Sequence, residues 1–215
     1  MKKNISKVLI ILVIILLIGL IFSFLKNSIG WSCGNDFIDV RDGSIYKTTQ
    51  IGEQCWMAEN LNYELTSGSW CYGEKQENCE IYGKLYDNDA AQVACPDGWK
   101  LPSDSEWEQL EIYLGMIPFD TGRPGWRVSG YVGDKLKSSL NWDGSNSYGF
   151  GGLPGGYRLT DGGFYGLDIF GRWWTSTTRE SRAWRRHLDP GQLGIFRSIH
   201  DTSFGYSVRC LKVED

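Results

Sequence analysis

The feature that most constrains this chain is an apolar run at residues 8–25, interrupted only by Gly19 and Ser23, with every cysteine on its C-terminal side. At ~1.5 Å per residue such a run spans about 27 Å as a helix, close to the ~30 Å core of a bilayer. Lys2, Lys3 and Lys7 precede it and only Lys26 follows closely. The positive-inside bias therefore predicts a cytoplasmic tail at residues 1–7, one transmembrane signal anchor at 8–25, a linker at 26–35 and an extracytoplasmic domain at 36–215. A cleaved signal peptide has a shorter apolar core, ~7–15 residues, and a small-residue cleavage site, which Lys26-Asn27-Ser28-Ile29-Gly30 does not offer. Trp31 and Ser32 do not make Cys33 a lipobox cysteine, and no acid lies just inside the run as in a pilin. The expected location is the cell membrane, single-pass, with the domain outside.

In such a compartment disulfides persist. The cysteines are Cys33, Cys55, Cys71, Cys79, Cys95 and Cys210. Six cysteines allow 15 pairings, and spacing alone does not choose among them. Pairing sequence neighbours favours Cys33–Cys55 and Cys71–Cys79, with Cys95–Cys210 closing the domain end to end. No CxxC-type knuckle exists, which argues against a zinc site and against a redox dithiol. No metal and no cofactor is expected.

The composition excludes other classes. All 26 acids follow residue 35 whereas four of the 22 bases flank the apolar run, so the domain carries 18 bases against 26 acids, a net −8. That is the wrong sign for a nucleic-acid partner. The 27 glycines and ten tryptophans point to short strands and tight turns around an aromatic core.

Residues 36–63 read as paired strands with a turn at Asp42-Gly43. Residues 64–80 are polar. A short helix is predicted at 86–94, and a second after Pro102, where Ser103 and Glu106 form a capping box and Trp107, Leu110 and Leu114 share one face. Residues 115–172 read as glycine-rich loops and short strands. Strand patterns return at 173–177, 183–188, 194–199 and 206–211, with a turn at Asp189-Pro190-Gly191.

Several blocks then carry a resemblance. They are Arg41-Asp42-Gly43-Ser44-Ile45-Tyr46, Ile51-Gly52-Glu53-Gln54-Cys55-Trp56-Met57-Ala58-Glu59-Asn60-Leu61, Ala94-Cys95-Pro96-Asp97-Gly98-Trp99-Lys100-Leu101-Pro102-Ser103, Leu153-Pro154-Gly155-Gly156-Tyr157-Arg158, Trp173-Trp174-Thr175-Ser176-Thr177 and Gly205-Tyr206-Ser207-Val208-Arg209-Cys210. Together, from about Asp39 to Lys212, they resemble the Fibrobacter succinogenes major paralogous domain family. That family is in turn similar to the C-type-lectin-like fold, which the formylglycine-generating enzymes share. The resemblance implies a Cys95–Cys210 bridge between the helix exit and the last strand. The fold expected is α+β, C-type-lectin-like, with two short helices, short antiparallel strands and long glycine-rich loops, behind one N-terminal transmembrane helix.

The candidate chemistry is sparse. His187 and His200 are the only histidines; His187 reads as a packed or solvated strand residue. Asp104, Glu106, Asp87 and Asp89 sit at helix starts, where acids serve the macrodipole, and Glu59 is expected to hold backbone N–H groups. Asn141-Trp142-Asp143-Gly144-Ser145-Asn146 reads as a polar turn and only in composition as a calcium motif. Trp56, Trp99, Trp107, Trp173 and Trp174 are assigned to the core. Trp126, Trp142 and Trp184 fall in variable stretches, and Arg179, Arg182, Arg185 and Arg186 form a basic strip beside Trp184. Ligand contacts are accordingly expected at Trp184, Arg182, Arg185, Trp126 and Trp142, on loops 119–148 and 179–204. The function expected is a membrane-anchored binding or adhesion module, not an enzyme, that recognises a surface polymer such as a polysaccharide, or a surface protein. Its rivals are an enzyme of the formylglycine-generating kind, which needs free thiols, and a structural subunit of an envelope or pilus-like assembly.

Overall fold

The computed structural model describes residues 31–213; the tail and membrane anchor expected at 1–25, and the expected linker as far as residue 30, lie outside the described residues. Among the described residues no helix is long and apolar enough to cross a membrane. The elements run β1 (Phe37–Ile38), β2 (Ile45–Tyr46), β3 (Thr48–Ile51), β4 (Gln54–Met57), β5 (Ser69–Trp70), α1 (Gln76–Tyr82), β6 (Leu85–Tyr86), α2 (Asn88–Ala94), β7 (Trp99–Lys100), α3 (Asp104–Tyr113), α4 (Pro118–Thr121), β8 (Gly125–Arg127), α5 (Val132–Leu136), β9 (Gly155–Arg158), β10 (Phe164–Leu167), β11 (Gly171–Arg179), β12 (Arg182–Leu188), β13 (Ile195–Asp201), β14 (Tyr206–Ser207) and β15 (Leu211–Lys212). This is a mixed α+β domain.

The turn chemistry acts where the sequence places it. Gly43 takes φ +78° between β1 and β2, and Gly52 takes φ +64° between β3 and β4. Ser103 Oγ accepts from Glu106 N while Glu106 Oε2 accepts from Ser103 N at 2.7 Å, so the capping box of α3 is complete. Asp87 caps α2 by accepting from Ala90 N at 2.8 Å. Among the described residues the helix count departs from expectation, with five short α-helices rather than two. α1 starts in the polar stretch at 64–80 and carries Cys79, and α4 and α5 span four and five residues, too few for a 3.6-residue period to show. The strand expected at 206–211 is divided. Tyr206–Ser207 joins one sheet, Leu211–Lys212 joins another, and Val208, Arg209 and Cys210 cross between them, all buried.

The smaller sheet has the order β3-β4-β15-β7, and the larger β5-β6-β14-β11-β12-β13-β8; β1-β2 and β9-β10 form separate hairpins. Pairing is antiparallel throughout except between β11 and β14. Trp173 and Trp174 show how the large sheet organises the core. Adjacent strand residues point to opposite faces, so Trp173 joins Trp56, Trp107 and Phe150 in one cluster while Trp174 joins Tyr86, Tyr206 and the small face of α2 in another. Ala90, Ala91 and Ala94 let α2 approach that second face closely. Glycine permits similar contacts elsewhere: a Cβ on Gly133 in α5 would collide with the Gly194 carbonyl oxygen, and Gly156 in β9 combines φ +66° with backbone 2.8 Å from where its Cβ would be. All five tryptophans assigned to the core are buried.

The disulfides are Cys33–Cys55, Cys71–Cys79 and Cys95–Cys210, with Cα–Cα separations of 5.8, 5.0 and 5.9 Å. Three bridges with no thiol left over suggest an extracytoplasmic domain. The long bridge ties the end of α2 to the residue before β15, and β15 pairs with both β4 and β7. The exit of α2 is thereby tied covalently to the C-terminal end of the domain, which sheet hydrogen bonds join to β4 and β7.

Candidate binding face of the large sheet

β12 reads Arg182-Ala183-Trp184-Arg185-Arg186-His187-Leu188. Its pleat divides the basic strip expected from the sequence. Arg186 turns towards α3 and is fully buried, its Nε 2.6 Å from Glu111 Oε1 and its Nη1 2.6 Å from Asp104 Oδ1. Arg127 pairs with the same Glu111, and Arg197 with the same Asp104, so two carboxylates hold three guanidiniums. Burial works to raise the pKa of Asp104, but hydrogen bonds from Arg197 and the charge of Arg186 outweigh it and hold the carboxyl below its usual range. Asp104 is thus an interior counterion, more than the helix-start acid of the sequence reading. Trp184 shares this side of the sheet, with the Arg197 guanidinium stacked 3.6 Å from its ring. Arg182 is exposed at the hairpin end, beside Arg179 and Glu180. Trp142 lies half-buried elsewhere, against the Trp173 cluster and 5.7 Å from Lys137 Nζ.

Arg185 and His187 take the opposite face. There they meet Arg172 from β11, Phe196, Ser198 and His200 from β13, and Tyr206 from β14, since Arg172 faces His187, His187 faces Phe196 and Arg185 faces Ser198 in register. A continuous band of rings surrounds them. Trp126 and Phe196 lie 5.2 Å apart, Phe170 and His187 5.5 Å, Tyr157 and Tyr206 6.1 Å, and His200 and Phe204 5.2 Å. Trp126 is 38 % exposed; Tyr157, Phe170, Phe196, Ser198, His200 and Phe204 are half-buried.

The electrostatics of this face are unusual. Arg185 is 4 % exposed and Arg172 9 %. The Arg172 guanidinium stacks 3.6 Å from the Tyr157 ring centroid, and the two arginines lie 5.8 and 5.4 Å from that of Tyr206. Among the described residues no carboxylate pairs with either. The nearest acid, Asp189, abuts His187 Nε2, misaligned for a hydrogen bond. Nε and Nη1 of Arg185 and Nε of Arg172 have no hydrogen-bond partner, and neither has Ser198 Oγ. Burial first, reinforced by the charge of Arg172, lowers the Arg185 pKa to about 10. Arg185 Nη2 lies 3.2 Å from His200 Nε2, and His200 Nδ1 lies 2.9 Å from the Tyr206 hydroxyl. Arginine can only donate, so this geometry assigns a neutral His200 with its proton on Nδ1. Burial and then the Arg185 charge push His200 down to about 4. Burial likewise lowers His187, despite Asp189.

A comparison with Arg209 shows what a settled buried arginine looks like. It is fully buried without a carboxylate, its pKa lowered to about 9 by burial, yet its N–H groups reach Asn60 Oδ1 at 2.7 Å and the Met57 and Phe150 carbonyls. Arg186 has carboxylates and Arg209 has carbonyls, whereas Arg172 and Arg185 have rings.

Of the five residues expected to bind, only Arg185 and Trp126 share this face, joined through Phe196, whose ring centroid is 5.9 Å from the Arg185 guanidinium. The period of two along β12 carried a signal for separating Arg185 from Arg186; Arg172 and Tyr157 come from other strands and had none. Glu59 accepts from Lys47 N at 2.9 Å, as expected of it. Asp143 is engaged by Lys137 Nζ at 2.6 Å and by Gly191 N. Among the described residues no cluster of three metal-ligating side chains is present. A hollow of about 480 Å³ between β3-β4 and α3, lined by Ile51, Gln54, Ile112 and Tyr113, holds no buried unpaired polar atom and supplies no comparable chemistry.

Neither the curated proteins nor the solved structures contain a match to this chain. The model of the Fibrobacter succinogenes major domain does match, over residues 49–212, which take in every residue of this face, and the chain belongs to that family.

Proposed function

We propose that the chain is an extracytoplasmic binding module, held at the cell membrane by its apolar N-terminal segment, that captures a surface polymer, a carbohydrate foremost, on the face formed by β11, β12 and β13. The observation that carries this reading is the pair of buried arginines with unsatisfied N–H groups inside a half-exposed ring of aromatic side chains. Aromatic faces receive the C–H faces of sugar rings, and a few fixed polar groups beneath them supply orientation. Binding is favoured over catalysis because Ser198 Oγ makes no hydrogen bond to a base and every cysteine is bridged, which leaves thiol chemistry no thiolate to start from. The Cys95–Cys210 closure beside β7 and β15 supports a C-type-lectin-like arrangement for the scaffold.

The test is a polymer and glycan screen with the oxidised full chain in mild detergent, repeated with Trp126→Ala/Phe196→Ala. Capture by the natural chain and its loss in the variant, at an unchanged fold by circular dichroism, is the expected result. Equal capture by both would remove the face from consideration.

A further inference from the structure

Resting on that reading, we propose that the group recognised is an anionic substituent of the polysaccharide, a carboxylate or a sulfate, seated between the guanidiniums of Arg185 and Arg172. Charge and unmet hydrogen bonds at these two side chains point to an anion. Both arginines are at least nine-tenths buried, and among the described residues neither has a carboxylate partner, Asp189 lying against His187 instead. Buried charges in folded proteins are paired or fully hydrogen-bonded, as Arg186 and Arg209 are in this same domain. Arg185 Nε and Nη1 lie on either side of the Nη2 that His200 holds, so each offers a separate donor to an anion oxygen, and Arg172 Nε offers another. His200 serves as a positioning residue: by accepting from Nη2 it fixes the plane of the fork. The half-buried Phe196 ring, 5.9 Å from the Arg185 guanidinium, flanks the place where the anion would sit.

The probes come in pairs that differ only in charge: polygalacturonate against its methyl ester, and dextran sulfate against dextran. The full chain is expected to bind at least one acidic member and not its neutral twin; the arm that binds tells carboxylate from sulfate. Arg185→Gln and Arg185→Lys should each weaken that binding roughly ten- to a hundredfold, the lysine keeping the charge but losing the fork. Should Arg185→Gln fail to fold, the natural chain still decides, because anion capture must weaken on raising salt from about 0.05 to 0.5 M. Equal, salt-independent binding of charged and neutral twins would overturn the anion assignment and leave the binding module standing. Binding of none of the four overturns the assignment, and if the wider screen is also blank, the module reading falls with it.

Discussion

Removing the Cys95–Cys210 bridge, with the other two left intact, should cost this domain more than any other pair of cysteines. The bridge closes 115 residues, against 22 for Cys33–Cys55 and 8 for Cys71–Cys79, and neither short loop lies inside the long one, so the three constraints act independently on the unfolded chain. The chain-entropy relation then gives about 5 kcal/mol for the long loop, about 3 for the intermediate one and about 2.5 for the shortest. Cys210 is also completely buried between the two sheets, so truncating it to alanine adds roughly 1 kcal/mol of lost packing. For a domain of this size a loss of about 5–6 kcal/mol lowers Tm by roughly 10–20 °C. Urea and thermal melts of Cys95→Ala/Cys210→Ala and Cys71→Ala/Cys79→Ala, both kept oxidised, provide the comparison. The first should lose about twice as much stability as the second. Equal losses would refute the reasoning that the long bridge acts through the length of the loop it closes.

Other perturbations probe the two sides of β12. Arg186→Ala removes the fully buried guanidinium that joins Asp104 and Glu111, leaves each carboxylate with one arginine and empties its site, so it should cost about 3–5 kcal/mol in urea melts, whereas the exposed Arg182→Ala should stay within about 0.5 kcal/mol. Trp184→Ala removes the ring beneath Arg197, so it should lower the melting temperature while leaving polymer capture intact, the reverse of what a contact residue would do. The pH dependence follows from His200, faced by Arg185, Tyr206 and Phe204 and in the field of Arg172, His187 and Arg182. Its pKa drops from 6.5 to about 4 on folding, so its contribution is complete above about pH 6.5 and is lost as pH falls through 4. The shift corresponds to about 3 kcal/mol before allowance for the half-exposed ring and roughly 1–2 after it. The urea midpoint of His200→Gln should therefore vary less between pH 6.5 and 4 than that of the natural chain.

What the sequence disclosed was local. A capping box, an Asp-Gly turn and the tryptophans inside the family blocks each follow rules that act over a few residues, and each took its expected place. Longer-range features were hidden for physical reasons. Arg185 and Arg186 look alike in a basic run, and only the pleat of a strand with both faces covered sends one to carboxylates and the other to rings. Arg172 and Tyr157 reach the binding face from separate strands, and Arg209 meets Asn60 across 149 positions. The division of residues 206–211 between two sheets depends on which neighbours receive Tyr206 and Leu211, and that is set by the long disulfide and the sheet order, which no local pattern encodes.

Footprinting tests the central claim most directly. Hydroxyl-radical labelling of the full chain, free and bound to whichever polymer it captures, reports side-chain protection along the whole domain. The account predicts protection concentrated at Trp126, Tyr157, Phe170, Phe196 and His200, with Trp142, Trp184 and Tyr113 unchanged. Protection confined to the β11–β12 hairpin end, or to the hollow beside α3, would contradict it.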